Sequence, residues 1–380
     1  MKRRKRVISV LVVISPLYKI VGPNLSDLIK LLKAFTNNIC LLRGRLERPL
    51  CSYGIEEIVI NGKLVEKLQR KSGILTRVIR FCWIQIIMAK ILLGSLRRFD
   101  FTLFYQSEAT IHVLLARVMR RRVIVYMGGS GFKTLHAGGL QDKLLSLPLL
   151  IGERLMSILA HKIILVTPQI AVSASLSKIF VAPTRLFDKE FFSTYQMTKK
   201  LAERETTVGY VGRFVPEKGV ERLVDAFSYV VTRLPGVRLL LIGDGPSRLK
   251  IEAKIFKYGL EKSVLITSWV NNVELYLNKV KLLVLPSSTE GLPNVLLEAM
   301  ACGTPVLAPP VGAIPDIIKE GETGFLLKSN DPKHIAERII ELLNKPDLLE
   351  KVSVNAYNYV RENFNFEKTL DAWRKILLEL

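Results

Sequence analysis

An α/β protein of two doubly wound parallel sheets is what this 380-residue chain predicts, on three observations. Short β-branched apolar runs alternate with longer helical patterns from end to end, the signature of βαβ units. Thr184–Thr206 is polar and mixed and loses that rhythm, and the alternation restarts after it. The length itself calls for two domains at roughly 100–200 residues each.

Taken in order, the first half offers strands at Val7–Ile14, Ile39–Arg43, Glu57–Ile60, Phe101–Tyr105, Val123–Tyr126, Ile163–Val166 and Lys178–Val181. Met1–Ile14 has the basic flank and apolar stretch of an export signal. Its apolar run is short and β-branched, however, and no small-residue cleavage site follows, so a buried parallel strand is the better reading. Ser26–Phe35, Glu108–Arg120 and Lys143–Ala160 read as helices, with Pro148 expected to kink or delay the last. Phe81–Leu96 is apolar nearly all round, which leaves a buried core helix and a membrane-surface helix both open. No run reaches the roughly 18 apolar residues of a membrane span.

The second half reads as strands Val208–Val211, Val237–Ile242, Val264–Thr267, Leu282–Leu285, Pro305–Ala308 and Phe325–Leu327. Helices Val220–Thr232, Ser247–Lys257, Val273–Lys279, Asn294–Ala301, Pro332–Leu343 and Leu348–Asn363 fall among and after them. The expected domains are 1–185, a linker at 186–206, and 207–363, followed by a terminal segment 364–380. In open α/β sheets ligands bind beyond the carboxyl ends of the strands, so two such sheets facing one another would enclose a cleft.

Composition narrows the class. Hydrophobic residues make up 49% of the chain, which excludes a disordered or collagenous protein. Cys40, Cys51, Cys82 and Cys302 are scattered, with no Cys-x-x-Cys pair and no nearby His at ligand spacing, so a metal cage is not expected. Reduced thiols point to the cytoplasm. The net charge of +22 lies wholly in the first 200 residues, which hold 33 basic and 11 acidic side chains against 23 and 23 in the remainder. The basic half therefore expects an anionic partner: nucleic acid, a membrane or a charged substrate.

The chemistry concentrates in the second half. In Leu282–Ala308 a buried strand enters a polar loop, Pro293 stands where a helix begins, and Gly303 lies past its end. Glu290 then lies in the loop and Glu298 in the second turn of the helix. The amides of Gly291, Leu292 and Asn294 at the helix start suit phosphate oxygens. For the two glutamates in isolation, a helix cap and a solvated face residue are the competing reading. Val208–Val220 ends a strand at Gly212 and carries Arg213 and Lys218 into the next helix, while Val237–Pro246 ends another in a glycine-rich turn at Asp244. These ends share one edge of a parallel sheet, so Arg213, Lys218, Asp244 and Glu290 are expected on one rim. The cations suit a diphosphate and the carboxylates suit sugar hydroxyls.

These residues resemble the retaining, nucleotide-sugar-dependent glycosyltransferases of family 4, which have the GT-B fold. The match is carried by Gly212, Arg213, Lys218 and Gly219, by Ile242–Pro246, and by Glu290–Ala301 with its Glu-x7-Glu spacing. It runs from Val208 to about Leu343 and reaches the first half by pattern alone. The resemblance implies that Arg213 and Lys218 contact the donor diphosphate, Glu298 the ribose, and Glu290 the transferred sugar beside the amides of Gly291 and Leu292. Ser268–Val270 would flank the base, and Phe366–Leu380 would cross back onto the first domain. Without an Asp-x-Asp motif the two cations would stand in for a divalent ion, and no cofactor is implied beyond a UDP- or GDP-sugar. Where the family commonly has a His after the strand Val123–Tyr126, this chain has Met127, Gly128 and Gly129, whose amides are offered to the donor instead. His112 and His136 are poor substitutes for that imidazole.

The implied reaction is transfer of a sugar to a lipid-linked or membrane-associated glycan precursor, with the basic half as acceptor domain. The implied location is cytoplasmic, peripheral to the membrane's inner face. Two other readings stay open. A catalytically silent partner subunit is suggested by the absent His. A nucleic-acid-binding protein is suggested by the charge, although no RNP, KH or helix-turn-helix pattern occurs.

Overall fold

The computed structural model describes residues 9–14, 23–43, 55–59, 74–105, 110–127, 140–165, 178–182, 187, 191–192 and 200–378. The chain divides into two units, Met1–Leu186 together with Glu367–Leu380, and Phe187–Phe366.

In the first unit, β1 (Ser9–Ile14), β2 (Asn38–Arg43), β3 (Glu56–Val59), β4 (Phe101–Tyr105), β5 (Arg122–Met127), β6 (Lys162–Leu165) and β7 (Ile179–Val181) form one sheet. The strand order is β3-β2-β1-β4-β5-β6-β7 and every pairing is parallel. All six residues of β1 are buried, as a strand covered on both faces requires. The Asp100 carboxylate ties the start of β1 to that of β4 by accepting from Ser9 N at 2.8 Å and Ser9 Oγ at 2.7 Å.

The helices α1 (Pro23–Lys33), α2 (Ile74–Ser95), α3 (Thr110–Val118) and α4 (Leu140–Leu159) accompany this sheet. Met88 and Leu92 of α2, Val113 and Ala116 of α3 and Met156 of α4 pack on the sheet residues Leu11, Val13, Phe104, Val123 and Val125. Pro148 does not delay α4, which runs from Leu140 through it. A proline deletes one backbone bond inside a helix, and a helix of 20 residues retains the others. The chain's last helix, α12 (Phe366–Leu378), belongs to the same unit. Its buried Trp373 stacks on Tyr126, centroids 6.3 Å apart, and Lys162 Nζ donates to the carbonyl of Ile376 at 2.9 Å.

The second unit holds β8 (Thr207–Val211), β9 (Arg238–Ile242), β10 (Val264–Thr267), β11 (Leu282–Val284), β12 (Val306–Ala308) and β13 (Phe325–Leu326). They form a parallel sheet in the order β10-β9-β8-β11-β12-β13. The order reverses between β8 and β11, the switch point at which doubly wound sheets bind ligands. Its helices are α5 (Val220–Arg233), α6 (Arg248–Lys257), α7 (Glu274–Leu277), α8 (Asn294–Ala301), α9 (Ile314–Ile317), α10 (Pro332–Leu343) and α11 (Pro346–Asn363). On α5 the buried Val220, Leu223, Val224, Phe227 and Val230 recur at helical spacing. α10 starts with Asp331 as cap, accepting from the amides of Lys333 and His334 ahead of Pro332 at the first helical position.

Described residues of the polar segment before β8 are part of this unit's packing. Phe187, Phe192 and Leu201 lie in its core, and Phe192 meets Tyr357 edge-on at 5.8 Å. The buried Arg204 guanidinium donates from Nη1 to the Val280 carbonyl at 3.0 Å and to Thr304 Oγ1 at 2.8 Å, and from Nη2 to the Cys302 carbonyl at 2.9 Å.

Candidate functional site

The loops after β8, β9, β10 and β11 leave the same carboxyl edge of the second sheet, because all its pairings are parallel. The first two are fastened to each other by backbone. Phe214 N donates to the Asp244 carbonyl at 2.9 Å, and Ser247 N to the Phe214 carbonyl at 2.9 Å. Gly219 then starts α5 with φ at 70°, in the left-handed region, and a Cβ there would lie 2.2 Å from the Pro286 carbonyl oxygen. Only glycine lets the chain pass this close to the β11 loop. That approach sets Lys218, one residue earlier, against Glu290.

Lys218 Nζ lies 2.6 Å from Glu290 Oε2, and Ser287 Oγ donates to Glu290 Oε1 at 2.6 Å. The Glu290 side chain is 7% exposed and that of Lys218 21%. The carboxylate is thus held at both oxygens, each with further lone-pair capacity for a ligand hydroxyl. The ammonium spends one of its three donors on Glu290 and keeps a wetted side for an anion. From the far side, Gly312 closes on this loop: a Cβ there would meet the Glu290 carbonyl oxygen at 2.1 Å, and the neighbouring Ala313 N donates to the Gly291 carbonyl at 2.9 Å.

Arg213 is exposed and its guanidinium sits 3.7 Å from Glu217. Such a pair is weak in water, so a dianionic ligand can draw the side chain away. Beneath the rim, Tyr210 OH donates to the Arg213 carbonyl at 3.0 Å. Burial pushes the Tyr210 phenol up, the Glu290 and Glu217 charges add to the rise, and Arg213 opposes it.

The expected residues fall as follows. Lys218 and Glu290 are in direct contact, and Arg213 and Asp244 stand on the same rim without touching that pair. Asp244 Oδ1 accepts from Gly245 N at 2.7 Å, and its other oxygen lies 3.8 Å from Arg248. Gly291 and Leu292 are partly buried beside Glu290 and lead into α8. Glu298 is buried on α8, so it is not a solvated face residue, and Glu290 binds Lys218 and Ser287 rather than capping the helix. Val270 packs on the small cluster of Leu240, Ile242 and Val280, behind the exposed Trp269. Gly128, Gly129 and His136 lie outside the described residues. His112 is core: it is fully buried, its Nε2 is 3.0 Å from the Gln85 carbonyl, and burial lowers its pKa.

Sequence reasoning missed Ser287, Glu217, Gly312 and Asn330. Asn330 Nδ2 approaches the Ser287 carbonyl at 3.4 Å, and its Oδ1 is buried without a partner. The Pro-Val-Gly-Ala turn following β12 was the available signal for Gly312. A cavity of about 490 Å³ lies away from the rim, bordered by Thr206, Pro235, Arg238 and Asn344 next to the amino ends of β8 and β9. Among the described residues no His, Cys, Asp and Glu cluster could hold a metal ion.

Residues 193–359 match the family model for glycosyl transferases group 1. An uncharacterized glycosyltransferase of Methanocaldococcus jannaschii is 35% identical over 172 residues, covering 45% of this chain and 47% of its own. The N-acetyl-alpha-D-glucosaminyl L-malate synthase of Bacillus anthracis is 32% identical over 196 residues, 52% and 51% of the two chains. This chain thus spans about half the length of the curated relatives it matches. Similarity of fold extends further. The Anabaena protein HepE, solved in complex with UDP, aligns over 98% of this chain and 100% of its own, with a TM-score of 0.75 at 17% identity. Sucrose-phosphate synthase from Thermosynechococcus elongatus aligns over 98% of this chain with a TM-score of 0.73 at 20% identity. The chain has the GT-B fold of two Rossmann-like parallel-sheet units, and its residues 193–359 match the model of the glycosyl transferases group 1 family.

Proposed function

We propose that this chain is a retaining, metal-independent glycosyltransferase that moves a sugar from a nucleoside diphosphate donor to an acceptor hydroxyl on a lipid-linked or membrane-associated glycan precursor. The observation that carries the reading is the 2.6 Å contact of Lys218 with Glu290 at the carboxyl edge of the sheet. It sets a cation for phosphate beside a carboxylate for sugar hydroxyls. Relatives named for glycan assembly support it, among them the capsular polysaccharide glycosyltransferase CapM of Staphylococcus aureus. UDP is the first nucleotide to test, since HepE was solved with UDP and with UDP-glucose.

In this reading the anomeric C–O bond to phosphate breaks and negative charge collects on the leaving diphosphate. Lys218 and the amides at the start of α8, already in place, neutralise it with little reorganisation, and Arg213 joins them when the ligand draws it from Glu217. The acceptor oxygen attacks from the face the phosphate leaves, and its proton passes to the departing phosphate oxygen. Glu290, held at both oxygens, orients the sugar and is not the nucleophile. Glu298 takes the ribose hydroxyls and Val270 flanks the base. The first unit supplies the acceptor site, at the cytoplasmic face of the membrane.

Titration calorimetry with UDP and GDP, together with a transfer assay on membrane lipids, tests this. Glu298→Ala is expected to weaken nucleotide binding, whereas Glu290→Ala leaves binding nearly intact and slows transfer. Negligible effects of both would remove the assignment.

A further inference from the structure

The helices α2, α3 and α4 lie side by side with α3 in the middle. Their close approach is visible at Gly152 of α4, where a Cβ would lie 2.7 Å from Thr110 Oγ1 of α3, and at the His112 contact to the Gln85 carbonyl across α2 and α3. Each helix turns one stripe into the sheet. Each also turns a second apolar stripe outward. On α2 it is Trp83, Ile86 and Leu93 with Lys90 between them; on α3 it is Ile111, Leu114 and Val118. On α4 it is Ile151, Leu155 and Ile158 with Arg154 between them.

These nine side chains range from 45% exposed at Leu155 to 73% at Val118, and each stripe repeats at helical spacing of three and four. Single exposed apolar residues are ordinary, but three parallel stripes on adjoining helices make a contiguous patch of the kind that marks an interaction surface. The charge says which partner fits. Residues 74–165 contain thirteen Lys and Arg against four Asp and Glu. Of those four acids, Glu153 is buried and Asp100 holds Ser9. The cations Lys90, Arg117, Arg120, Arg122 and Arg154 are exposed on or beside the patch. A second copy of this chain would bring like charges face to face. An anionic lipid surface receives both features, apolar side chains entering the acyl boundary and cations meeting the headgroups.

We propose that the outer face of α2, α3 and α4 is a monotopic docking surface for anionic lipid bilayers. It gives the membrane partner of the proposed function a specific location and rests on that reading only for its biological purpose, since the surface stands on exposure and charge alone. No described helix is long and apolar enough to cross a membrane, which fits a chain that lies on a bilayer through this face.

The test is sedimentation of the full chain with vesicles of phosphatidylcholine alone and vesicles mixed with phosphatidylglycerol, without any nucleotide sugar. Binding is expected to the mixed vesicles, to weaken with added salt, and to fall about tenfold or more in Trp83→Ser/Ile86→Ser/Ile158→Ser. Lys90→Glu/Arg154→Glu should lose the preference for phosphatidylglycerol. These positions are exposed, and circular dichroism together with UDP binding verifies that each variant is folded. Failure to bind vesicles, or binding that the apolar substitutions leave unchanged, overturns the proposal. So does self-association of the parent chain that the same serine substitutions abolish, which would make the face a contact between copies. UDP binding reports the donor site separately, so loss of lipid docking and loss of the transferase reading are distinguishable.

Discussion

Two partly or fully buried cations sit at opposite edges of the second sheet, and they are treated differently. Arg204, at the amino edge, is buried, and its bonds include those to the carbonyls of Val280 and Cys302 and the hydroxyl of Thr304. Lys218, at the carboxyl edge, meets a carboxylate and keeps about a fifth of its side chain in water. A buried guanidinium distributed over backbone carbonyls can staple loops that precede three different elements. An ammonium held by one acid on a wetted rim is positioned and still available. Burial alone therefore does not mark function; the spare hydrogen-bond capacity left facing solvent does.

Arg204→Ala breaks the comparison most severely. It orphans acceptors in the loops before β11 and β12, and should lower unfolding free energy by roughly 3–5 kcal/mol in a denaturant titration. Arg204→Lys should fall between, since one ammonium cannot replace the fork. The fraction that remains folded should bind UDP as the parent does. A parent-like denaturation midpoint for Arg204→Ala would show that the staple is not structural.

Lys218→Ala should invert that pattern. Stability falls by about 1 kcal/mol, because Ser287 still holds Glu290. Transfer should fall about 10²–10³-fold, the usual cost of removing one fixed electrostatic group from a site where charge develops. The measurement is kcat/KM beside the denaturation midpoint. An Ala variant with parent-like kcat/KM would place the phosphate elsewhere on the rim.

Why one cation was legible and the other not is a matter of range. Lys218 lies in a local pattern, strand, glycine, two cations and a helix start, and α8 was bounded correctly by Pro293 and Gly303 because caps are local too. Phe101–Tyr105, Val264–Thr267 and Pro332–Leu343 were legible for the same reason, their apolar period and flanking turns being contained in the segment. Arg204 sits in a polar stretch that reads as solvated. Its acceptors lie 76 to 100 residues away in sequence, and nothing nearby announces them. Gly312 stands against Glu290, and Asn330 against Ser287, across shorter breaks in the chain that still span intervening elements. The four-residue α9 has no period to read and a proline inside it. On α2 the sequence is apolar nearly all round, so periodicity could not separate the faces; the structure buries Gln85, Met88 and Leu92 and leaves Trp83, Ile86 and Leu93 exposed.

A third group of charges, a partly exposed network, sets the lower limit of the comparison. Glu341 accepts from Lys345 at 2.7 Å and from Arg338, which also bonds Glu320. The hydrogen bonds from Lys345 and then Arg338 hold the Glu341 carboxyl below its ordinary value of 4.5. A carboxylate whose pKa is depressed by folding stabilises the native state at pH above the unfolded value, and that contribution disappears as pH falls through the folded one. Glu341→Gln should therefore cost under about 1 kcal/mol at neutral pH, since the pair is solvent-screened. The gap between parent and variant should close as the medium is acidified below 4.5. Denaturant titrations at neutral and acid pH, repeated in high salt, measure it. A gap that widens on acidification, or one as large as that of Arg204→Ala, would mean that exposed ion pairs and the buried staple are not different in kind.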